Sequence, residues 1–216
     1  MSDFEARSVA EIPEPVAEAT GRKRPKPGER RVQILQALAA MLEQPGGERI
    51  TTAALASRLG VSEAALYRHF ASKAQMFEGL IEFIEQSVFT LINQITADTL
   101  GDGKHQVARI VAMLLQFGEK NPGMVRVMVG DALVFENERL SQRMNLFFDK
   151  IEAALRQVLR DWAVATESAT PGVDGQVQSS VLTSFAVGRL QRFARSGFRR
   201  LPTENLDACL STILIK

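Results

Sequence analysis

The stretch "TTAALASRLGVSEAALYRHFASK", Thr51 to Lys73, limits the fold of this chain more than any other. It holds two helical patterns, each too short to stand alone, since isolated helices below about 12–15 residues are marginal in water. Thr51 or Thr52 can cap the first, which runs through Arg58 and Leu59. Gly60 falls where a left-handed residue closes a helix. Ser62 caps the second, expected to end near Phe70. Leu55 should face inward from the first helix, with Ala54 small enough for close packing, while Val61 and Leu66 pin the second across it. Two short helices crossing through a glycine turn form a helix-turn-helix, whose second helix enters the DNA major groove.

Charge is distributed to match. The net charge is only +1. Residues 1–21 carry one Arg against five acids, a balance of −4, whereas residues 22–73 carry ten Lys/Arg against four Glu, a balance of +6. A basic module lies between an acidic tail and a near-neutral remainder. Local charge is what an anionic partner feels within a Debye length of about 8–10 Å. The tail, residues 1–28, is rich in proline, lacks apolar periodicity and reads as disordered, ending in the basic cluster "GRKRPKPGERR".

Around this module every other pattern is helical. Val32, Leu35, Ala39 and Leu42 form one stripe over Glu29–Gln44, stopped by "PGG". Ser72 and Gln75 read as a capping box opening a long helix with apolar residues from Phe77 to Ile95 at spacings of three and four. A nearly all-apolar helix, Val107 to Phe117, should be central. Asn121 and Pro122 suit the N-cap and first position of the next. Long patterns follow over Glu138–Trp162 and Val177–Ser196, separated by a loop "TESATPGVDG", and Pro202–Thr203 start a last short helix. No strand alternation survives, so the fold class is all-α. The expected division is a tail (1–28), a helix-turn-helix domain (29–73) and a helical dimerisation and partner-binding domain (74–216).

The flanks of the helix pair carry DNA chemistry. Ser62, Glu63, Ala64 and Ala65, at the start of the second helix, are small enough to approach base edges, and alanine methyls can meet thymine methyls. Tyr67 and His69 can donate hydrogen bonds to phosphate oxygens, Arg68 adds charge, and Lys73 reaches across the groove. Thr51 and Thr52, with the amides they precede, offer another anion site.

These residues resemble a family. "TTAALASRLGVSEAALYRHFASKAQMFEGLI" is similar to the N-terminal domain of TetR-type regulators, in which a Tyr-x-His-Phe-x-x-Lys run follows the recognition helix; Tyr67, His69, Phe70 and Lys73 match it. The resemblance implies an all-helical homodimer, with three N-terminal helices on DNA and the C-terminal helices dimerising. "LIEFIEQSV", "FGEKNPGM", "ALVFENERL" and "KIEAALRQVLR" extend the likeness, in order, to the nucleoid occlusion factors within that family. These bind palindromic chromosomal sites and, on DNA, antagonise the division protein FtsZ. In them the FtsZ tail docks near the fourth and fifth helices, which points to Phe83 and Lys120 as partner-binding residues. Lys120 stands where the family often has Arg, keeping charge but losing the fork; Leu91 and Gln116 sit where relatives can carry Arg and Gly.

Other functions find little support. His69 and His105 are the two histidines and Cys209 the lone cysteine. No zinc spacing, phosphate-cradling glycine run or paired carboxylates stand out, so no enzyme, metal or cofactor is expected. One cysteine cannot form an internal disulfide and fits a reducing compartment. The N-terminus lacks a signal-peptide core and no run of 18 apolar residues occurs, so a cytoplasmic, nucleoid-associated protein off the membrane is expected. The alternative is a ligand-responsive repressor of the same fold, with Met113, Phe117, Phe185 and Phe193 lining a pocket. At helical spacing such a stripe is more often core, so a small-molecule ligand is not the expectation.

Overall fold

A computed structural model describes residues 28–44, 49–98 and 102–214. The expected tail, apart from Gly28, and the "PGG" stop lie outside them. The described residues form helices α1 (Glu29–Leu42), α2 (Thr52–Arg58), α3 (Glu63–Tyr67), α4 (Lys73–Ala97), α5 (Gly103–Lys120), α6 (Pro122–Met128), α7 (Glu138–Ala165), α8 (Pro171–Arg195) and α9 (Leu206–Ile213), with a 3-10 turn at Asp131–Leu133 before α7. No strand occurs among them.

The short pair is built by its caps. Thr51 Oγ accepts from the Ala54 amide at 3.1 Å and Ser62 Oγ from the Ala65 amide at 3.3 Å, each satisfying a donor that the first turn leaves without a partner. Gly60 takes φ +63 between them, a conformation that costs an L side chain energy. Leu55, Ala56, Leu66 and Phe70 are buried beneath α1 residues Ile34, Leu38 and Leu42. Ala56, not the exposed Ala54, supplies the close approach, and Val32 faces water rather than completing the α1 stripe. Helix α3 ends at Tyr67, earlier than expected; a turn follows in which the His69 and Phe70 amides both donate to the Leu66 carbonyl, and Phe70 is buried in the core.

Helix α4 leaves this head and runs the length of the body. Ser72 caps it through the Gln75 amide, but the Gln75 side chain accepts from the Ala71 amide, one residue before the partner of a true capping box. Its buried face, from Met76 and Phe77 to Ile95, meets α5, which is central as its composition requires and longer than the apolar pattern alone. Asn121 and Pro122 take the N-cap and first positions of α6 as expected, but the Asn121 side chain donates back to the Phe117 carbonyl of α5 and makes no capping bond to α6.

Helices α7 and α8 are the most extensively packed pair. The expected loop between them shrinks to 166–170, since Pro171 begins α8. Gly175 is part of that helix: a Cβ there would stand 3.2 Å from the Arg156 carbonyl oxygen and 3.3 Å from the Arg160 nitrogen. The glycine marks close helix approach, not a chain break. The last helix begins at Leu206, after a turn at 202–205. Exposed Leu146 and Val164 of α7, with Val173, Val177 and Val181 of α8, leave an apolar face uncovered.

Head and body meet where α6 crosses α1. Gly123 of α6 lies against the Ala39 carbonyl of α1, where Glu43 also sits. Within the body, ion pairs join α4 to α7: Glu78 and Glu85 hold Arg139 and Arg143, Arg143 Nη2 standing 2.5 Å from Glu85. The Arg143 guanidinium is held above its ordinary pKa, mainly by this Glu85 bond.

Candidate nucleic-acid interface

The two helix starts converge on one cluster. Thr52 Oγ1 donates to Glu63 Oε2 at 2.6 Å, and the Tyr67 hydroxyl approaches Thr52 Oγ1 at 3.5 Å. Glu63 lies in the first turn of α3, where a carboxylate is favoured by the amides of the helix start. The cluster ties α2 to α3 across the glycine turn and fixes the angle at which the second helix is presented. Ser62, Glu63 and Ala64 are exposed on its leading edge; Ala65 is half-buried. An outward edge of short side chains leaves room for close approach to base edges.

Around that edge stand donors. Tyr67, Arg68 and His69 are exposed, as is Thr51, while Thr52 is half-buried. Thr51 already accepts one amide, and its hydroxyl hydrogen remains able to donate outward. Lys73 is engaged differently: its ammonium pairs with Glu136 from the loop before α7 and lies 5.6 Å from the Phe77 ring. It is therefore a head-to-body contact as well as a cation at the margin of the head. The long-range partner could not be read from spacing.

Sequence reasoning also passed over Arg31. Its guanidinium donates to the His69 carbonyl at 2.7 Å and stacks 4.0 Å from the Phe70 ring centroid. This clamps the end of the Tyr67–Phe70 run onto α1. The basic run "ERR" at the start of α1 was the available signal, but only the fold names its target.

The residues expected to receive a partner stand on other helices than this edge. Phe83 is half-buried on α4 and packs on the core, and Lys120 is exposed at the end of α5. Of the residues suggested for a ligand pocket, Phe117, Phe193 and Met113 are core and Phe185 is half-buried beneath Arg189. A groove of about 700 Å³ between α4, α5 and α7 is lined by other residues, among them Ile92, Thr96, Gln106, Val158 and Trp162. Among the described residues no helix is long and apolar enough to cross a membrane.

Comparison with known proteins agrees with this geometry. The family model for bacterial regulatory proteins of the tetR family matches residues 34–80. The SlmA-like model, a tetracyclin repressor-like C-terminal domain, matches residues 102–215. The chain is 52% identical over 182 residues to the nucleoid occlusion factor SlmA of Idiomarina loihiensis, covering 83% of this chain and 90% of that protein. Its identity to the nucleoid occlusion factor SlmA of Vibrio cholerae is 51% over 179 residues, 82% of this chain and 90% of that one. The crystal structure of PfmR, a TetR family transcriptional regulator from Thermus thermophilus, superposes with TM-score 0.69 at 22% identity, covering 84% of this chain and 97% of that one; at that identity the likeness speaks for the fold.

Proposed function

The chain belongs to the SlmA family of nucleoid occlusion factors, within the TetR-type regulators, and from that premise we propose that its DNA-bound homodimer antagonises FtsZ assembly over the chromosome. It acts as a DNA-binding regulator, not an enzyme. The observation that best supports the reading is the head itself: an exposed α3 edge whose angle is fixed by the Thr52–Glu63–Tyr67 cluster.

In this mechanism Ser62, Glu63, Ala64 and Ala65 meet base edges, and Thr51, Thr52, Tyr67, Arg68, His69 and Lys73 meet phosphates. The phosphate set positions and the base set specifies. Affinity then falls steeply with salt, because each neutralised phosphate releases counterions. The uncovered α7–α8 face pairs with its copy, so two heads address the half-sites of a palindrome about one helical turn apart. Phe83 and Lys120 receive the FtsZ tail. A dimer held on DNA in the cytoplasm keeps these surfaces beside the nucleoid, and several dimers on one site raise the effective concentration for a filament with many tails.

The test is FtsZ sedimentation with the protein, with and without a selected palindromic DNA. Inhibition should strengthen with DNA, and Phe83→Ala should abolish it while sparing DNA affinity. A folded Phe83→Ala variant with undiminished inhibition would remove Phe83 from the FtsZ surface. Inhibition indifferent to DNA would refute the coupling.

A further inference from the structure

Val134 and Phe135, on the loop before α7, are 68% and 63% exposed. They belong neither to the α3 edge nor to the α7–α8 face. With Ala194 and Gly197 at the end of α8 they wall a concavity of about 500 Å³, into which Arg126, Arg195 and one acid, Asp131, also project. More cations surround it. The Arg49 guanidinium lies 4.6 Å from the Phe135 ring centroid, Arg126 lies 5.2 Å from that of Phe198, and exposed Arg199 and Arg200 follow on the next loop. The result is an apolar shelf with a guanidinium rim. DNA would suit the rim but not the floor, since Val134 and Phe135 offer nothing to phosphate.

We propose that this shelf is the docking site of the chain's own N-terminal segment, residues 1–20. That segment carries Asp3, Glu5, Glu11, Glu14 and Glu18 against Arg7 alone, with Phe4, Val9, Ile12 and Val16 interleaved. Its apolar side chains match the floor, and its carboxylates match arginine forks, which bind them in bidentate fashion. Residues 21–27 join the segment to the start of α1, and seven residues at full extension span roughly 25 Å. Because the shelf takes Arg49 from the head and Arg195 from the body, a docked segment bridges the two.

Two measurements test this. In the full chain, hydrogen exchange of residues 131–137 and 195–201 should be slower than in a chain lacking residues 1–20. A labelled peptide of residues 1–20 should bind the shortened chain saturably, weakening with salt. Phe135→Ala and Arg195→Glu, both at exposed positions and so expected to fold, should each weaken it, the charge reversal by at least ~tenfold. Three results would overturn the assignment: equal exchange in the two chains, peptide binding indifferent to both substitutions, or equal binding of a peptide with serine at positions 4, 9, 12 and 16. Shelf protection that grows with the concentration of the shortened chain would place a second copy there and overturn it too.

Discussion

Substituting Gly123 by Ala tests whether the α1–α6 joint holds the reading head. An added Cβ would stand far inside contact with the Ala39 carbonyl oxygen, 3.0 Å from its carbon and 3.2 Å from Glu43 Cγ. The obstacle is helix backbone, so α1 itself must retreat. Alanine gains at most about 1 kcal/mol over glycine in a helix, and less in the first turn. Overpacking against a rigid neighbour costs about 1–3 kcal/mol or more. Retreat also strains the Gly123 amide bond to the Glu43 carboxylate. The steric cost wins, leaving a net loss of about 1–2 kcal/mol, or roughly 2–8 °C in Tm for a chain of this size. Gly118→Ala is the control. Its Cβ meets Leu190 Cδ2 at 2.5 Å and Val125 Cγ2 at 3.1 Å, both methyl ends that can rotate away, so the loss should be much smaller. Thermal unfolding by circular dichroism ranks the two. Palindrome affinity, compared with that for a single half-site, reads the head position and should fall more in Gly123→Ala. The reasoning fails if Gly123→Ala melts with the parent, or if Gly118→Ala proves the worse of the pair.

Other expectations rest on single contacts. Lys73→Ala should lower Tm, because Glu136, whose side chain is only 9% exposed, loses its cation; adding Glu136→Gln should restore Tm without restoring DNA affinity, and an unchanged Tm in the single variant would show the pair to be idle. Burial pushes the Glu43 carboxyl above its ordinary pKa of 4.5, opposed by the Gly123 amide and Arg58. A raised carboxyl pKa contributes stability that is present below the ordinary value and lost as pH rises through the raised one. Glu43→Gln should therefore gain on the parent as pH rises from 4.5 towards neutrality, and melts showing the reverse trend would contradict the burial argument. Val177→Glu, on the uncovered face of α8, should yield folded monomers in sedimentation velocity; a dimer as tight as the parent would move the interface elsewhere.

Legibility in the sequence followed the range of the interactions. The helix pair was readable because Thr51, Gly60 and Ser62 act on amides within three or four residues, and the structure uses all three. The start of α8 was not. Pro171, Gly172 and Gly175 look like a break locally, yet proline is at home in a first turn and Gly175 is small because α7 passes beside it. Local spacing also placed Tyr67, Arg68 and His69 on the exposed edge. It gave no hint that Lys73 would find Glu136, or Arg31 the His69 carbonyl, because those partners lie 63 and 38 residues away. The arginine-rimmed shelf was equally hidden, assembled from loops before α7 and after α8.

Helix α4 has one more consequence. Its 25 residues make a single rod of roughly 37 Å, with Lys73 at one end and the Ile92–Thr96 groove near the other. A tilt of about 5° pivoted at the far end swings the near end by roughly 3 Å, close to the ~3.4 Å rise of a base along one DNA strand. At that length, small differences in packing at the groove end would be magnified at the head end, so the straightness of this one helix matters to where the reading edge stands.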